Sequence, residues 1–257
     1  MAIWGKLLGT AAGLAVGGPL GALLGGVAGH VYDRWRREPK AVAEAEPVDQ
    51  LDTRRIAYAT AVIVLGAKLA KADGAVSRDE VRAFKELFDV DDEDVGGIAR
   101  IFDEAKRTPE GFEPYARQVA AMFGGDPEVL EELLDDLFAL AAADGGLHPA
   151  EIAWLSRVAS IFGFGPHEFA AILARYGAAH RAPMPSVGQP DDYAVLGLDR
   201  GASDDAIRAA RRRLIQEHHP DRLIARGVPP EMIRTATEKL AAINAAYDRI
   251  AKERGLG

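Results

Sequence analysis

The sequence predicts an all-α protein that consists of a single transmembrane helix, a helical bundle and a C-terminal antiparallel helical hairpin. Three observations support this prediction. The first thirty residues contain a long uncharged stretch, the central region repeats apolar residues at helical spacing, and the last quarter holds two amphipathic patterns separated by a proline. Alternating runs of β-branched residues, which would indicate strands, are scarce in the central region.

The composition excludes several classes of site. The chain has 257 residues and no cysteine, so disulfides, thiolate metal sites and a cysteine nucleophile are impossible, which suits a reducing compartment. The net charge of -8 argues against nucleic acid as a partner. The negative charge lies in the middle of the chain, because residues 53–180 hold 22 acidic and 13 basic side chains.

Residues 1–33 are predicted to contain the transmembrane segment. No charge occurs between Leu7 and Gly29, and a helix over these 23 residues is long enough to cross a bilayer core of about 30 Å. A cleaved signal peptide is disfavoured, because the run is long and is followed by basic residues. A self-assembling soluble tail is the remaining alternative.

Glycine recurs at every fourth position of this segment. Such spacing places the glycines near one stripe of a helix, where a second backbone can approach closely. We therefore expect contact with membrane lipid and a homodimer through the segment. The dimer face consists of Gly9, Gly13, Gly17, Gly21 and Gly25.

The charges that flank the segment predict its orientation. Lys6 precedes the uncharged stretch, whereas four basic residues follow it between Arg34 and Lys40. The side with more positive charge faces the cytoplasm in most membrane proteins. We therefore expect a single-pass protein whose C-terminal domains are cytoplasmic.

Two segments have the composition of linkers and separate the predicted domains. Residues 34–52 are polar and lack periodicity, and residues 181–190 contain three prolines. The region between them, residues 53–180, repeats apolar residues at helical spacing and is predicted to be a helical bundle.

The central region contains an internal repeat, because LAKADGAVSRDEV at 69–81 matches LAAADGGLHPAEI at 140–152. Each copy has the pattern of a helix end, a glycine turn and a helix start. The acidic residues are explained by helix capping, and the alternative is a divalent-metal site. That site would use Asp73, Glu80, Asp144 and Glu151. The repeated ADG…E corners resemble the TerB-like domain family, members of which are associated with metal binding and stress systems.

The C-terminal segment, residues 191–257, predicts two packed helices joined by a turn. Ser203 is a favourable N-cap for the first helix, whose apolar stripe is Ile207, Ala210 and Leu214. Pro220 ends that helix and excludes His219 from the α region. The tripeptide His219, Pro220 and Asp221 is then displayed between the helices. Catalysis is disfavoured because no cleft or nucleophile accompanies the tripeptide, and a metal site is disfavoured because no third ligand is evident.

The order of DYAVLGL, a basic helix, HPD and KLAAINAAY closely resembles a J domain of the DnaJ family. The resemblance implies that the chain binds a DnaK-type chaperone and stimulates its ATP hydrolysis. His219, Pro220 and Asp221 would carry the signal, and the basic docking face would consist of Arg208, Arg211, Arg212 and Arg213.

One stretch departs from the J-domain pattern. Residues 222–240, RLIARGVPPEMIRTATEKL, lack the lysine-rich loop usual in the family and instead carry Gly227, Pro229 and Pro230. The Gly/Phe-rich and cysteine-rich regions of full-length DnaJ proteins are also missing from this sequence.

The succession of membrane segment, TerB-like domain and terminal J domain resembles the DjlA family over essentially the whole chain. The resemblance implies a bacterial inner-membrane co-chaperone. We expect that the chain is not itself an enzyme and needs no cofactor. A metal-responsive TerB-type sensor, with the J domain as its output, is the alternative function.

Overall fold

The fold is described from a computed structural model that covers residues 3–8, 16–25, 49–71, 84–107, 111–144, 146–180 and 191–256. These residues form helices joined by turns, and no strand occurs among them. The predicted all-α class is therefore confirmed. The α-helices are α1 (Ile3–Leu8), α2 (Gln50–Lys71), α3 (Asp92–Arg107), α4 (Glu113–Phe123), α5 (Pro127–Ala141), α6 (Pro149–Phe162), α7 (Pro166–His180), α8 (Asp192–Val195), α9 (Asp204–Glu217), α10 (Pro220–Ala225) and α11 (Arg234–Arg254). Two short 3₁₀ helices span Ala142–Asp144 and Pro230–Met232.

The central bundle, the described part of residues 49–180, is arranged around α2. Helix α2 packs against α3, α4 and α5, so its side chains from Ile56 to Leu69 are almost all buried. Proline occupies the first turn of α5, α6 and α7, where its missing N–H costs no intrahelical hydrogen bond. Helix α6 ends at Gly163, which has a φ of 96° and provides the left-handed residue that closes many helices.

The described N-terminal residues lie against the central bundle. Trp4 is fully buried, with its ring centroid 6.0 Å from that of Phe84. Gln118 receives a hydrogen bond of 2.9 Å from the backbone N–H of Leu20, and it donates one of 2.9 Å to the carbonyl of Gly17. No helix within the described ranges is long and apolar enough to span a membrane.

The glycines predicted to form a dimer face fall partly outside these ranges. Gly9 and Gly13 lie outside the described residues. Gly17 has a φ of 62° and therefore does not continue a right-handed helix. Gly21 is buried against the chain itself, and Gly25 is exposed.

The C-terminal hairpin, residues 191–256, packs α9 antiparallel to α11. Ser203 caps α9 by accepting a hydrogen bond of 3.2 Å from the N–H of Ala206, as the sequence predicts. The predicted stripe of Ile207, Ala210 and Leu214 is buried. Its neighbours in a small core include Tyr193, Leu196, Ile243, Ala246 and Ile250.

The hairpin is not separate from the central bundle. Leu223, Val228, Met232 and Ala236 are buried in the core of the bundle rather than in that of the hairpin. Helix α7 also contacts both α8 and α11. The predicted linker at 181–190 lies outside the described residues, but the hairpin that follows it is docked on the bundle.

Candidate partner-binding site

The tripeptide His219, Pro220 and Asp221, hereafter the HPD turn, lies at the junction between the end of α9 and the start of α10. His219 is the N-cap of α10, with φ −66° and ψ 129°, and Pro220 is its first residue. The extended conformation of His219 agrees with the effect predicted for the following proline. Its Nδ1 accepts a hydrogen bond of 3.2 Å from the backbone N–H of Asp221, so the turn has a defined conformation.

The HPD turn is open to solvent. The His219 side chain is 53 % exposed and that of Asp221 is 90 % exposed. Their closest side-chain nitrogen and oxygen are 3.9 Å apart, beyond hydrogen-bond distance. This arrangement presents an imidazole and a carboxylate to another molecule from one ordered turn.

The four arginines predicted to form a docking face have different environments. Arg212 and Arg213 are exposed, and Arg213 forms an ion pair of 2.7 Å with Glu217 one turn later. Arg208 lies 3.4 Å from Asp205. Arg211 instead packs inside the hairpin, where it donates to Asn244 at 3.0 and 3.1 Å and lies over the ring of Tyr247.

The residue before the HPD turn was not among the predicted site residues. His218 is only 1 % exposed, and its Nε2 lies 3.4 Å from a carboxylate oxygen of Glu131. Its other ring nitrogen lies 3.4 Å from the ammonium group of Lys239. Burial lowers the pKa of His218 to about 3, so the imidazole is neutral at pH 7.

Below the HPD turn lies a row of carboxylates on α5, hereafter the acidic stripe. Its members occupy helical positions on one side of α5, and all are buried. The signal was present in the sequence as EVLEELLDD, in which acidic pairs alternate with the leucines of the core. The acidic stripe consists of Glu128, Glu131, Glu132, Asp135 and Asp136.

Most cations that neutralise the acidic stripe belong to the C-terminal hairpin. The ammonium group of Lys239 lies 3.0 Å from Glu132 and 3.6 Å from Glu131, and it also forms an ion pair with Asp135. Arg226 forms an ion pair with Glu128, and Arg222 lies 3.6 Å from the same carboxylate. From the central bundle, Arg175 contributes an ion pair of 2.8 Å with Glu131.

Burial changes the proton affinity of this network. It raises the pKa of Asp135 to about 7, in spite of the opposing effect of Lys239. Burial and the neighbouring charge of Glu132 raise the pKa of Asp136 well above its ordinary value. Asp136 accepts hydrogen bonds of 2.8 Å from both Tyr58 and Thr235. The network therefore retains a proton that isolated carboxylates would lose at pH 7.

The residues predicted as a metal alternative are only partly described. Asp73, Glu80 and the side chain of Asp144 lie outside the described residues. Glu151 accepts a hydrogen bond of 2.7 Å from the backbone N–H of His148, which is the capping role the sequence predicts. Within the described ranges, no group of three or more suitable side chains could hold a metal ion. The metal site stays a prediction.

Comparison with known proteins adds three family matches in order along the chain. Residues 1–54 match the model of the co-chaperone DjlA transmembrane domain, residues 59–174 that of tellurite resistance protein TerB, and residues 191–254 that of the DnaJ domain. Among curated proteins, the co-chaperone protein DjlA of Shewanella oneidensis is 35% identical and covers 100% of both chains.

The chain belongs to the DjlA family of co-chaperone proteins. The DjlA proteins of Coxiella burnetii and Vibrio cholerae are each 31% identical to it, over 98% and 100% of both chains. No solved structure matches. As in this family, the chain is a membrane-anchored J-domain co-chaperone, and its HPD turn lies inside the matched DnaJ domain.

Proposed function

We propose that the C-terminal hairpin binds a DnaK-type chaperone and stimulates its ATP hydrolysis through the HPD turn. The observation that supports this proposal best is the exposure of His219 and Asp221 in a fixed turn beside the exposed Arg212 and Arg213. The hydrolytic chemistry belongs to the partner. The chain is therefore an activator rather than an enzyme, and it requires no cofactor of its own.

The physical basis of recognition is a short preorganised turn next to positive charge. Because the His219 side chain caps the HPD turn by accepting a hydrogen bond from the Asp221 N–H, little further ordering is needed on binding. Exposed arginines that face an acidic partner increase the association rate and set the orientation.

The test is the steady-state ATPase rate of a DnaK-type chaperone with the full chain in detergent. We expect the wild type to stimulate hydrolysis and His219→Gln to lose most of the stimulation. A matched control is His167→Gln, which replaces another exposed histidine far along the chain from the turn. Equal stimulation by wild type and His219→Gln would contradict the proposal.

We further propose that the anchor crosses the bacterial inner membrane once, leaves the C-terminal domains in the cytoplasm and pairs two copies through the glycine face. In that state Trp4 and Leu20 contact lipid, so their packing against the bundle and insertion into a bilayer exclude each other.

The topology is testable because the chain has no cysteine. We introduce a single cysteine by Ser186→Cys and treat the protein with a membrane-impermeant maleimide. Labelling is expected in inverted vesicles and broken cells, where the cytoplasmic side is accessible, and not in intact spheroplasts. Gly13→Leu is expected to weaken crosslinking between two copies. Labelling in intact spheroplasts would contradict the topology, and unchanged crosslinking would contradict the glycine face.

A further inference from the structure

The stretch that departs from the J-domain pattern is the one that docks on the central bundle. Val228 and Met232 are buried in the core of the bundle. Gly227 has a φ of 106°, and a Cβ atom at this position would lie 2.7 Å from the Cβ of Arg54 on α2. The departure thus has a structural role, because it lets the hairpin backbone approach the bundle closely.

The polar part of the same interface flanks the HPD turn on both sides. Before the turn, His218 contacts Glu131. After the turn, Arg222 and Arg226 contact Glu128. Residues on both sides of the HPD turn are therefore in contact with the acidic stripe.

Docking leaves the candidate binding surface open. His219 and Asp221 stay exposed between their buried neighbours, and Arg212 stays exposed on α9. The main helix contacts of the hairpin with the bundle are made by α8 and α11, and Leu223 of α10 is also buried in the core of the bundle. The arrangement can therefore bind a partner without being taken apart.

We propose that the acidic stripe holds the HPD turn in its working orientation, with Glu128 and Glu131 as positioning residues. This inference rests on the function proposed above and adds to it a role for the TerB-like domain. A turn whose flanks are fixed loses less conformational freedom on binding than a turn on a free hairpin. Positioning therefore improves the affinity for the DnaK-type partner rather than its maximal hydrolysis rate.

The experiment compares full-chain variants in detergent. Glu128→Gln keeps the shape of the side chain and removes its charge at the rim of the interface. Glu113→Gln is the control, because Glu113 forms a surface ion pair of 2.6 Å with Arg157, which also belongs to the bundle. Glu128→Asp restores the charge. Each variant is measured for ATPase stimulation over a concentration series, for thermal unfolding and for amide hydrogen exchange over residues 218–226.

For Glu128→Gln we expect the concentration that gives half-maximal stimulation to rise about threefold to tenfold, because the contacts with Arg222 and Arg226 lose their charge pairing. The maximal rate should stay unchanged and exchange over residues 218–226 should become faster. Glu113→Gln should match the wild type, and Glu128→Asp should recover most of the affinity.

Two results would overturn the inference. If Glu128→Gln matches the wild type in both stimulation and exchange, the acidic stripe does not position the turn. If Glu128→Gln stimulates at lower concentrations than the wild type, the stripe masks the site instead. Failure of the underlying function is distinguishable, because the wild type would then match His219→Gln, while hydrogen exchange would still decide whether the stripe orders the turn.

Discussion

Two adjacent histidines show how strongly position determines chemistry at the residue scale. His219 caps α10 from the surface, whereas His218 is buried between Glu131 and Lys239. Desolvation disfavours the charged imidazole, so the pKa of His218 is lowered to about 3. The two residues have the same side chain, but one is exposed to solvent and the other is buried.

The buried histidine predicts a pH effect of defined sign. The folded chain keeps His218 neutral, but the unfolded chain protonates it near pH 6.5. The stabilising contribution of His218 is therefore present above pH 6.5 and is lost as the pH falls toward 3. Between pH 7 and 5 the free energy of unfolding should lose roughly 2 kcal/mol from this residue.

The pH effect is measured by urea unfolding of wild type and His218→Gln at several pH values. The comparison is needed because Asp135, whose pKa is raised to about 7, contributes in the opposite direction over the same range. Relative to the variant, the wild type should become less stable as the pH falls. A stability difference that stays constant from pH 7 to 5 would contradict this prediction.

At the scale of elements, the turn between α10 and the last helix is set by Gly227. Its φ of 106° and the 2.7 Å approach to Arg54 both exclude a side chain. Arg54 donates a hydrogen bond of 2.8 Å to the carbonyl of Arg226, so the interface is closed by backbone as well as by side chains.

Gly227→Ala is therefore expected to lower the free energy of unfolding by about 2–4 kcal/mol, because steric conflict adds to backbone strain. Two controls separate these causes. Gly255→Ala introduces a side chain at a φ of 67° with nothing within 4 Å, and Gly201→Ala introduces one without either constraint. Urea unfolding should rank the losses as Gly227, Gly255 and Gly201. An effect of Gly227→Ala no larger than that of Gly255→Ala would exclude the steric conflict.

At the scale of the whole molecule, charges at two depths should respond differently to salt. Arg212 and Arg213 are exposed, so their attraction to an acidic partner is screened over about 8–10 Å at physiological ionic strength. Lys239 and Glu132 are almost completely buried and are screened much less. Binding to the partner and docking of the hairpin are therefore separable by ionic strength.

We expect the concentration for half-maximal ATPase stimulation to rise several-fold from about 0.05 to about 0.5 M salt, because salt screens the attraction between exposed charges. Hydrogen-exchange protection of α5 and α11 should change little over the same range. Loss of that protection at high salt would show that the interface depends on exposed charges.

Much of the local structure could be predicted from the sequence. The capping role of Ser203, the buried stripe at Ile207 and Leu214 and the extended conformation of His219 follow from neighbouring residues and helical spacing. The environment of Arg211 could not be predicted in the same way. Its neighbour Arg212 has the same side chain, and the positions of Asn244 and Tyr247 on another helix distinguish the two arginines.

The all-helical class, the order of the domains and the HPD turn can be predicted from the sequence alone, because they depend on periodicity, capping and short motifs. The docking of the hairpin on the bundle, the burial of five carboxylates on α5 and the neutral state of His218 become evident only from the packed structure. Lys239 and Glu132 are 107 positions apart along the chain, and they meet because the hairpin docks on the bundle. Burial depends on which distant residues meet, and that information is not contained in any local pattern.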